Sequence, residues 1–242
     1  MTAITSHRRK TTIAVAAVFA VGAGVFGFAR YYPALGPIAG SIAPQLYVDV
    51  LPSAQIPIRG RFILVDAASA RLYMIEDGRV RDSMRVIVGK PETPTPELKS
   101  VINYETINPY WHVTPDLAKT LIAPRVLKDG DTYLTTRGYE VVNAFVRDPQ
   151  VISPDTIDWK AVADGKIEVR MRQLPGPHNS MGRMKFMFPN EAGVYLHDNP
   201  ERELFSEASR LYSGGCVRLE DAARLGRWLF GHDLEWESAG TE

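Results

Sequence analysis

The chain has 242 residues, of which 45% are hydrophobic, and its 28 Lys and Arg residues balance 28 Asp and Glu residues. This apolar content is enough to bury a core, and the zero formal net charge gives no support to a disordered chain or a nucleic-acid-binding role. The single cysteine, Cys216, excludes an intramolecular disulfide and any multi-cysteine zinc or iron–sulfur site.

The N-terminal region contains a stretch without charged residues, Thr11–Ala29, which follows the basic run His7–Lys10. As a helix this stretch would span roughly 28 Å, close to the hydrocarbon thickness of a bilayer. Basic residues before the stretch, and Arg30 alone just after it, favour a cytoplasmic segment over residues 1–10 and an exported body. We therefore predict a transmembrane anchor over residues 11–29. A cleaved signal peptide is the alternative, although the apolar run is longer than a usual signal core.

Repeated prolines with scattered Gly and Ser make residues 30–59 a linker. Beyond it, short apolar runs with period-two character are typical of strands, and Asp77-Gly78 is a tight-turn signal between two of them. The predicted strands are Phe62–Val65, Arg71–Ile75, Met84–Gly89, Val101–Ile107, Ile167–Gln173, Arg183–Phe188 and Val194–His197. This pattern predicts a mainly β domain over residues 60–232.

Two other parts of this domain have a helical pattern. Residues 112–166 interrupt the strands, and Thr114-Pro115 is typical of an N-cap followed by a first helical position, so we predict an inserted helical lid. The aromatic residues expected to face a cleft from this region are Trp111, Tyr133 and Trp159. A last helix is predicted from about Leu219 to a stop at Gly231, followed by a tail over residues 233–242.

The chemically informative residues surround Cys216. It follows Ser213, Gly214 and Gly215, and glycines let backbone N–H groups approach a ligand closely. In such a setting we expect the thiol pKa to fall and a substrate oxyanion to be held. His197, 19 positions earlier at the end of an apolar run, is a suitable base for a nucleophilic cysteine. The alternative is a small buried hydrophobe, the commonest role of a lone cysteine.

Two segments, Tyr195–Asp198 and Ser213–Leu219, resemble the signature of the YkuD-type L,D-transpeptidases. That signature is His followed by Gly or Asp and, after a spacer, Ser-His-Gly-Cys, an apolar residue and Arg or Asn. One position departs from it, because Gly214 replaces the second histidine and leaves His197 as the only motif imidazole. Residues 170–177, 179, 182–183, 185–186 and 188–190 are similar to a periplasmic subgroup with a large lid loop. Residues 86–91, 95–96 and 107–109 resemble the start of the same catalytic domain, so that the similarity covers residues 60–232.

The resemblance implies a β-sandwich with an inserted lid and a reaction on peptidoglycan stem peptides. Cys216 would attack the carbonyl of an L,D peptide bond, expel D-Ala and form a thioester, which the amine of an acceptor stem resolves as a 3→3 cross-link. His197 would be the base. The backbone N–H groups of Gly214, Gly215 or Cys216 would form the oxyanion hole, and Ser213 would orient His197.

Three further residues are expected to contact the substrate. Arg218 lies two positions after the nucleophile, so that it faces the same side of an extended segment and suits a stem carboxylate; an ion pair with Asp198 or Glu220 is the alternative. Tyr195 and Trp111 are expected to line the cleft, with a place in the core as the alternative. Neither a cofactor nor a metal is implied, because the remaining histidines lack ligand spacing.

The expected location is the bacterial cell envelope, with the domain in the periplasm and anchored in the inner membrane, or secreted if a signal peptide is cleaved. The resemblance also implies a carbapenem as a covalent inhibitor of the thiol. Two alternatives keep the same fold: an L,D-carboxypeptidase, in which water replaces the acceptor amine, and a non-catalytic peptidoglycan-binding protein. A papain-like cysteine peptidase is disfavoured because the histidine precedes the cysteine here.

Overall fold

The computed structural model describes the backbone of residues 14–17 and the whole of residues 60–231. The described residues divide into two compact units. The first contains the residues up to Glu105, Phe186–Leu196 and the residues from Glu203 onward, and the second contains Thr106–Lys185 and His197–Arg202. Each unit is described by itself below.

Fourteen strands are described. In chain order they are β1 (Ala14–Ala17), β2 (Arg61–Asp66), β3 (Arg71–Glu76), β4 (Arg79–Gly89), β5 (Leu98–Val101), β6 (Tyr104–Ile107), β7 (Trp111–Val113), β8 (Tyr139–Val142), β9 (Val151–Ile152), β10 (Arg170–Gln173), β11 (Met184–Met187), β12 (Leu196–His197), β13 (Leu211–Ser213) and β14 (Val217–Leu219). The predicted strand at residues 101–107 is thus two strands.

Helical structure is shorter and lies mainly in the second unit. The α-helices are α1 (Pro115–Leu117), α2 (Ala123–Asp129), α3 (Thr132–Arg137), α4 (Trp159–Ala163) and α5 (Ala222–Phe230). A π-helical segment, Ala118–Ile122, joins α1 to α2, and single 3-10 turns cover Pro154–Thr156 and Arg202–Ser206. The prediction of a mainly β protein with α elements is confirmed, whereas the β-sandwich stays a prediction.

The first unit is built on the antiparallel meander β2-β3-β4. Its second hairpin closes at Asp77 and Gly78, whose φ angles of +50° and +73° are those of a primed turn, as the sequence predicted. On the inner face Phe62, Leu64 and Ile75 form a fully buried apolar cluster. β14 pairs antiparallel with β4 and β13 pairs parallel with it, so that β4 supports both strands beside Cys216.

The predicted transmembrane helix is wrong where the structure describes it, because Ala14–Ala17 is strand β1. It pairs parallel with β2 and antiparallel with β5. The backbone of an apolar segment can form its hydrogen bonds with two neighbouring strands as readily as within a helix. Hydropathy alone does not distinguish a strand from a helix. No described helix is long and apolar enough to cross a membrane. Residues 11–13 and 18–29, the linker and the tail lie outside the described residues.

The second unit contains the segment predicted to be a helical lid. Its helices are accompanied by a four-stranded antiparallel sheet in the order β7-β10-β8-β9. Trp111 and Trp159 are only 8% and 7% exposed: Trp111 packs against Tyr139, and the Trp159 indole N–H donates to the Pro154 carbonyl. Both indoles therefore pack in the core of the unit, which is the alternative that the sequence left open for Trp111, and a place beside a cleft stays a prediction.

Helix α5 begins three residues later than expected. Residues up to Leu219 remain in β14, and the Asp221 carboxylate caps the helix by accepting the Arg224 backbone N–H at 2.9 Å. Gly231, in the left-handed conformation at φ +76°, ends it as predicted.

Candidate active site

The nucleophile turn, Ser213–Cys216, connects β13 to β14 in the first unit. The Ser213 hydroxyl donates to the Cys216 carbonyl at 2.5 Å and accepts the Gly215 N–H at 3.1 Å. Gly215 has a φ of +121°, which a residue with a side chain adopts only under strain. The serine and the glycine together fix the backbone that presents the cysteine.

A second loop, Gly89–Thr95, holds the nucleophile turn from β4. The Lys90 N–H donates to the Ser213 carbonyl at 3.0 Å, and the Thr93 hydroxyl donates to the same oxygen at 3.4 Å. Gly89 donates its N–H to the buried Thr95 hydroxyl at 2.8 Å, and a Cβ there would lie 2.3 Å from the Thr93 carbonyl oxygen. The sequence offered no signal for this supporting role beyond the resemblance at residues 86–91 and 95–96.

Cys216 is half-buried. Burial raises its pKa above the ordinary value, while a hydrogen bond from the Tyr195 backbone N–H and the positive charge of Arg218 act in the opposite direction. The expectation of a lowered thiol pKa is therefore wrong for these surroundings, because desolvation of the thiolate outweighs both stabilising contacts. The Tyr195 N–H is nevertheless a hydrogen-bond donor that favours the thiolate.

Tyr195 and Arg218 both lie in the first unit with Cys216. The Tyr195 carbonyl accepts the Val217 N–H at 3.1 Å, and Tyr195, Val217 and Thr95 are among the residues that line a small apolar cavity. Arg218 is half-buried in β14, opposite Ile87 of β4. Contact of either residue with a substrate stays a prediction.

The two carboxylates considered as ion-pair partners for Arg218 each bind another arginine. Arg85 donates its backbone N–H to Glu220 at 2.9 Å and its Nε–H at 2.8 Å. Burial opposes ionisation of Glu220, but these contacts outweigh it and lower the glutamate pKa. Asp198, in the second unit, binds the Arg202 guanidinium at 2.6 Å.

The histidine turn, His197–Asn199, belongs to the second unit. His197 is buried at 3% exposure, and its ring Nδ1 lies 2.6 Å from the Asp198 carbonyl oxygen. A carbonyl only accepts hydrogen bonds, so Nδ1 carries the hydrogen and, in the neutral ring, Nε2 carries the lone pair. This tautomer is the one required of a base that acts through Nε2.

Two buried amides that the sequence analysis did not single out shape the loop before β11. The Gln173 side chain donates to the carbonyls of Arg137 and His178 at 2.9 and 2.7 Å and accepts the Ser180 N–H. The Asn179 amide donates to the Pro109 carbonyl at 2.9 Å. Both are about 1% exposed. Their signal in the sequence is only their place in the segment that resembles the family.

A comparison with protein families gives one match that covers most of the chain. The family model described as YkuD, L,D-transpeptidase catalytic domain, matches residues 60–230. A protein of Haemophilus influenzae (strain ATCC 51907 / DSM 11121 / KW20 / Rd) named "Putative L,D-transpeptidase" is 33% identical over 185 residues. That alignment covers 76% of this chain but 37% of the relative, so the chain spans little more than a third of the relative's length.

Solved structures with similarity to this chain include an LD transpeptidase in complex with imipenem, an L,D-transpeptidase from Mycobacterium smegmatis and an avibactam carbamoyl enzyme. They are 14%, 14% and 13% identical, with TM-scores of 0.34, 0.31 and 0.33. The matches cover 70%, 69% and 66% of this chain and 53%, 52% and 40% of those chains, respectively. At TM-scores below 0.5 they carry no argument here.

Proposed function

This chain belongs to the YkuD family of L,D-transpeptidase catalytic domains, and from that premise we propose that it forms 3→3 peptidoglycan cross-links through a thioester on Cys216. The observation that carries the proposal is the nucleophile turn. A serine and a positive-φ glycine hold the half-buried Cys216, the chain's single cysteine, and the Tyr195 backbone N–H donates to its sulfur.

In the proposed acylation step the thiolate of Cys216 attacks the carbonyl carbon of the L,D bond that precedes D-Ala in the donor stem. The thiol proton passes to His197, and the resulting imidazolium protonates the D-Ala nitrogen as the carbon–nitrogen bond breaks. D-Ala leaves with a neutral amine, and the donor stem remains on sulfur as a thioester. The tautomer with Nδ1–H on the Asp198 carbonyl supports this role, because it leaves Nε2 able to take the proton.

In the proposed deacylation step the side-chain amine of an acceptor stem attacks the thioester. His197 removes a proton from the amine, the carbon–sulfur bond breaks, and the thiolate is regenerated with one new amide bond. The sequence supports the pairing of Cys216 with His197. Tyr195, whose backbone N–H donates to the Cys216 sulfur, lies two residues before His197.

The tetrahedral intermediates of both steps place a negative charge on the former carbonyl oxygen. Of the three backbone N–H groups predicted to stabilise it, that of Gly215 is already donated to the Ser213 hydroxyl. We therefore assign the oxyanion hole to the N–H groups of Gly214 and Cys216, each contributing about 2.7–4 kcal/mol to transition-state stabilisation. Ser213 acts on the shape of this turn, and an additional orienting contact with His197 stays a prediction.

Substrate recognition is proposed to use Arg218 and Tyr195. The Arg218 guanidinium is close enough to Cys216 to lower the thiol pKa, so it is also placed to attract a stem carboxylate beside the scissile bond. Tyr195 lines a small apolar cavity in the first unit, and its contact with the substrate is part of the proposal. We propose that a carbapenem acylates the same thiol, since its strained carbonyl offers the same electrophile as the donor stem.

The proposed site of action is the cell envelope, outside the cytoplasmic membrane, because that is where peptidoglycan stems are cross-linked. The basic run before the apolar residues 11–29 supports export of the domain. Protease added to spheroplasts is expected to digest the domain. Digestion only after permeabilisation would contradict this location.

The test of the function is muropeptide analysis after incubation of purified protein with tetrapeptide stems. We expect a cross-linked dimer with the loss of one D-Ala per link, and none with Cys216→Ser. Release of D-Ala without dimers would indicate an L,D-carboxypeptidase, and stems left intact but bound would indicate a non-catalytic binding protein.

A further inference from the structure

The carbonyl that fixes the His197 tautomer belongs to Asp198, and the side chain of this aspartate is unusually constrained. It is 7% exposed, and its two oxygens accept different donors: Oδ2 accepts the Arg183 backbone N–H at 2.9 Å, and Oδ1 accepts the Arg202 guanidinium at 2.6 Å. Its own backbone N–H donates to the Met184 carbonyl at 2.8 Å. Three hydrogen bonds therefore hold one residue at both its backbone and its side chain.

A close packing contact reinforces these hydrogen bonds. Gly182, at φ +62°, lies directly against the aspartate, and a Cβ there would be 2.4 Å from Asp198 Oδ2 and 2.6 Å from its Cβ. Only a glycine leaves room for the carboxylate in this position. The loop that ends at Gly182 is itself fixed by the buried Asn179, whose carbonyl accepts the Gly182 N–H at 2.8 Å.

The next residue along the chain is also fixed. Asn199 is 1% exposed, and its side-chain amide donates to the Glu201 carbonyl at 2.8 Å. The peptide plane that carries the Asp198 carbonyl is thus held at both ends, by Asp198 on one side and Asn199 on the other. The direction in which this carbonyl points, and hence the ring nitrogen that it binds, depends on these contacts.

We propose that the Asp198 carboxylate is a positioning residue for His197: by fixing the Asp198 carbonyl it keeps the hydrogen on Nδ1 and leaves Nε2 as the base. Arg202, about half exposed, supplies the positive charge that allows a carboxylate to be buried there. The aspartate acts through the histidine and touches no substrate. The catalytic consequence rests on the proposed function, whereas the tautomer does not.

The decisive experiment compares Asp198→Asn with a matched control elsewhere in the chain. Asp66 is a 4% exposed carboxylate that accepts the Ala68 N–H in the β2–β3 turn, so Asp66→Asn removes a similar buried charge without affecting a histidine. Arg202→Gln and Arg202→Lys test the partner, with lysine keeping the charge. Because the chain has five histidines, ¹⁵N NMR of the imidazole nitrogens, with His197→Gln to assign one set of signals, reports the tautomer directly.

We expect wild-type His197 to show a protonated Nδ1 and an unprotonated Nε2 at neutral pH. Asp198→Asn should give a mixture of tautomers and a kcat lower by about 10- to 100-fold, with KM changed less than kcat. Arg202→Gln should shift both quantities in the same direction by a smaller factor, and Arg202→Lys should restore part of the loss. Asp66→Asn should change thermal stability but neither the His197 tautomer nor kcat.

An unchanged tautomer in Asp198→Asn would overturn the proposal, whatever happens to activity. So would a kcat equal to that of Asp66→Asn. If Asp198→Asn fails to fold, Arg202→Gln carries the same two readouts. If wild-type protein forms no cross-links, the proposed function fails, and the NMR result still decides whether Asp198 fixes the histidine.

Discussion

The nucleophile turn and the histidine turn, one in each unit, are held by different means. In the nucleophile turn a neutral hydroxyl makes two hydrogen bonds within four residues, and the shape depends on the positive φ of Gly215. In the histidine turn a buried carboxylate binds an arginine and a backbone N–H from other segments. The first turn is therefore sensitive to backbone freedom, and the second to charge. Each of the following predictions separates these two kinds of support.

The largest effect on activity outside Cys216 itself is expected at the histidine turn. His197→Ala removes the proposed base, so the transfer rate should fall by about 10²- to 10⁴-fold while the fold is kept. The alkylation midpoint of the thiol should also move to higher pH, because burial raises the thiol pKa and the variant lacks the proposed acceptor of the thiol proton. Rates against pH with iodoacetamide measure this on the chain's single thiol.

The exposed His178 provides the control for this variant. His178→Ala should leave both the transfer rate and the alkylation profile unchanged. A His197→Ala variant that behaves like His178→Ala would remove the imidazole from the mechanism.

The next effect compares the adjacent glycines of the nucleophile turn. Gly215→Ala forces a side chain into a φ of +121° and to within 3.4 Å of Val194, so it should cost about 1–3 kcal/mol of unfolding free energy and most of the activity. At Gly214 a Cβ meets nothing within 4 Å and the φ is not positive, so Gly214→Ala should change stability little. Thermal unfolding and transfer assays measure both.

Gly214→His adds a third variant to the comparison of Gly214→Ala with Gly215→Ala, because it introduces the histidine that the family signature usually has. The open surroundings predict a folded protein with unchanged stability. Equal destabilisation by Gly214→Ala and Gly215→Ala would contradict the role assigned to the backbone of Gly215.

A smaller effect is expected in the loop Gly89–Thr95, which contacts the nucleophile turn. Thr95→Val removes the buried hydroxyl that accepts the Gly89 N–H, and an unsatisfied buried donor costs about 1–3 kcal/mol. Thr93→Val removes a longer 3.4 Å hydrogen bond to the Ser213 carbonyl and should cost less. Denaturant titration measures the unfolding free energy of both variants. A larger loss of stability in Thr93→Val than in Thr95→Val would contradict this prediction.

The smallest effect lies outside both turns. The Glu220 pKa is lowered below its ordinary value of 4.5, so the ionised carboxylate stabilises the folded state. That contribution is present above the ordinary pKa and is lost as the pH falls through the folded-state pKa. Glu220→Gln should therefore lower Tm at neutral pH, and the gap to wild type should close in acid. A gap that persists at low pH would show that charge is not its cause.

The sequence was most informative where the signal is local. Alternating apolar residues predicted the β2-β3-β4 meander, Asp77-Gly78 predicted its turn, and Gly231 predicted the end of α5. The candidate site residues followed from the resemblance of Tyr195–Asp198 and Ser213–Leu219 to the family signature. These features depend on neighbouring residues along the chain, which a sequence displays directly.

Long-range contacts had no comparable signal. The Thr93 hydroxyl reaches the Ser213 carbonyl across 120 residues, and nothing in the composition of either segment indicates that pair. The direction of the thiol pKa was mispredicted because desolvation depends on packing around Cys216. The sequence left both a core and a cleft position open for Trp111, because an aromatic side chain in a strand fits either, and only the packing shows that it is buried.

The central claim, that Cys216 carries the donor stem as a thioester, is tested most directly by intact-protein mass spectrometry. Purified protein is mixed with a tetrapeptide donor, without acceptor, and quenched in acid at short times. We predict one added mass per chain, equal to the donor minus D-Ala, located on Cys216 and lost on hydroxylamine treatment, with no adduct on Cys216→Ser. Cross-linked product formed at the wild-type rate by Cys216→Ser, without any adduct, would contradict the account.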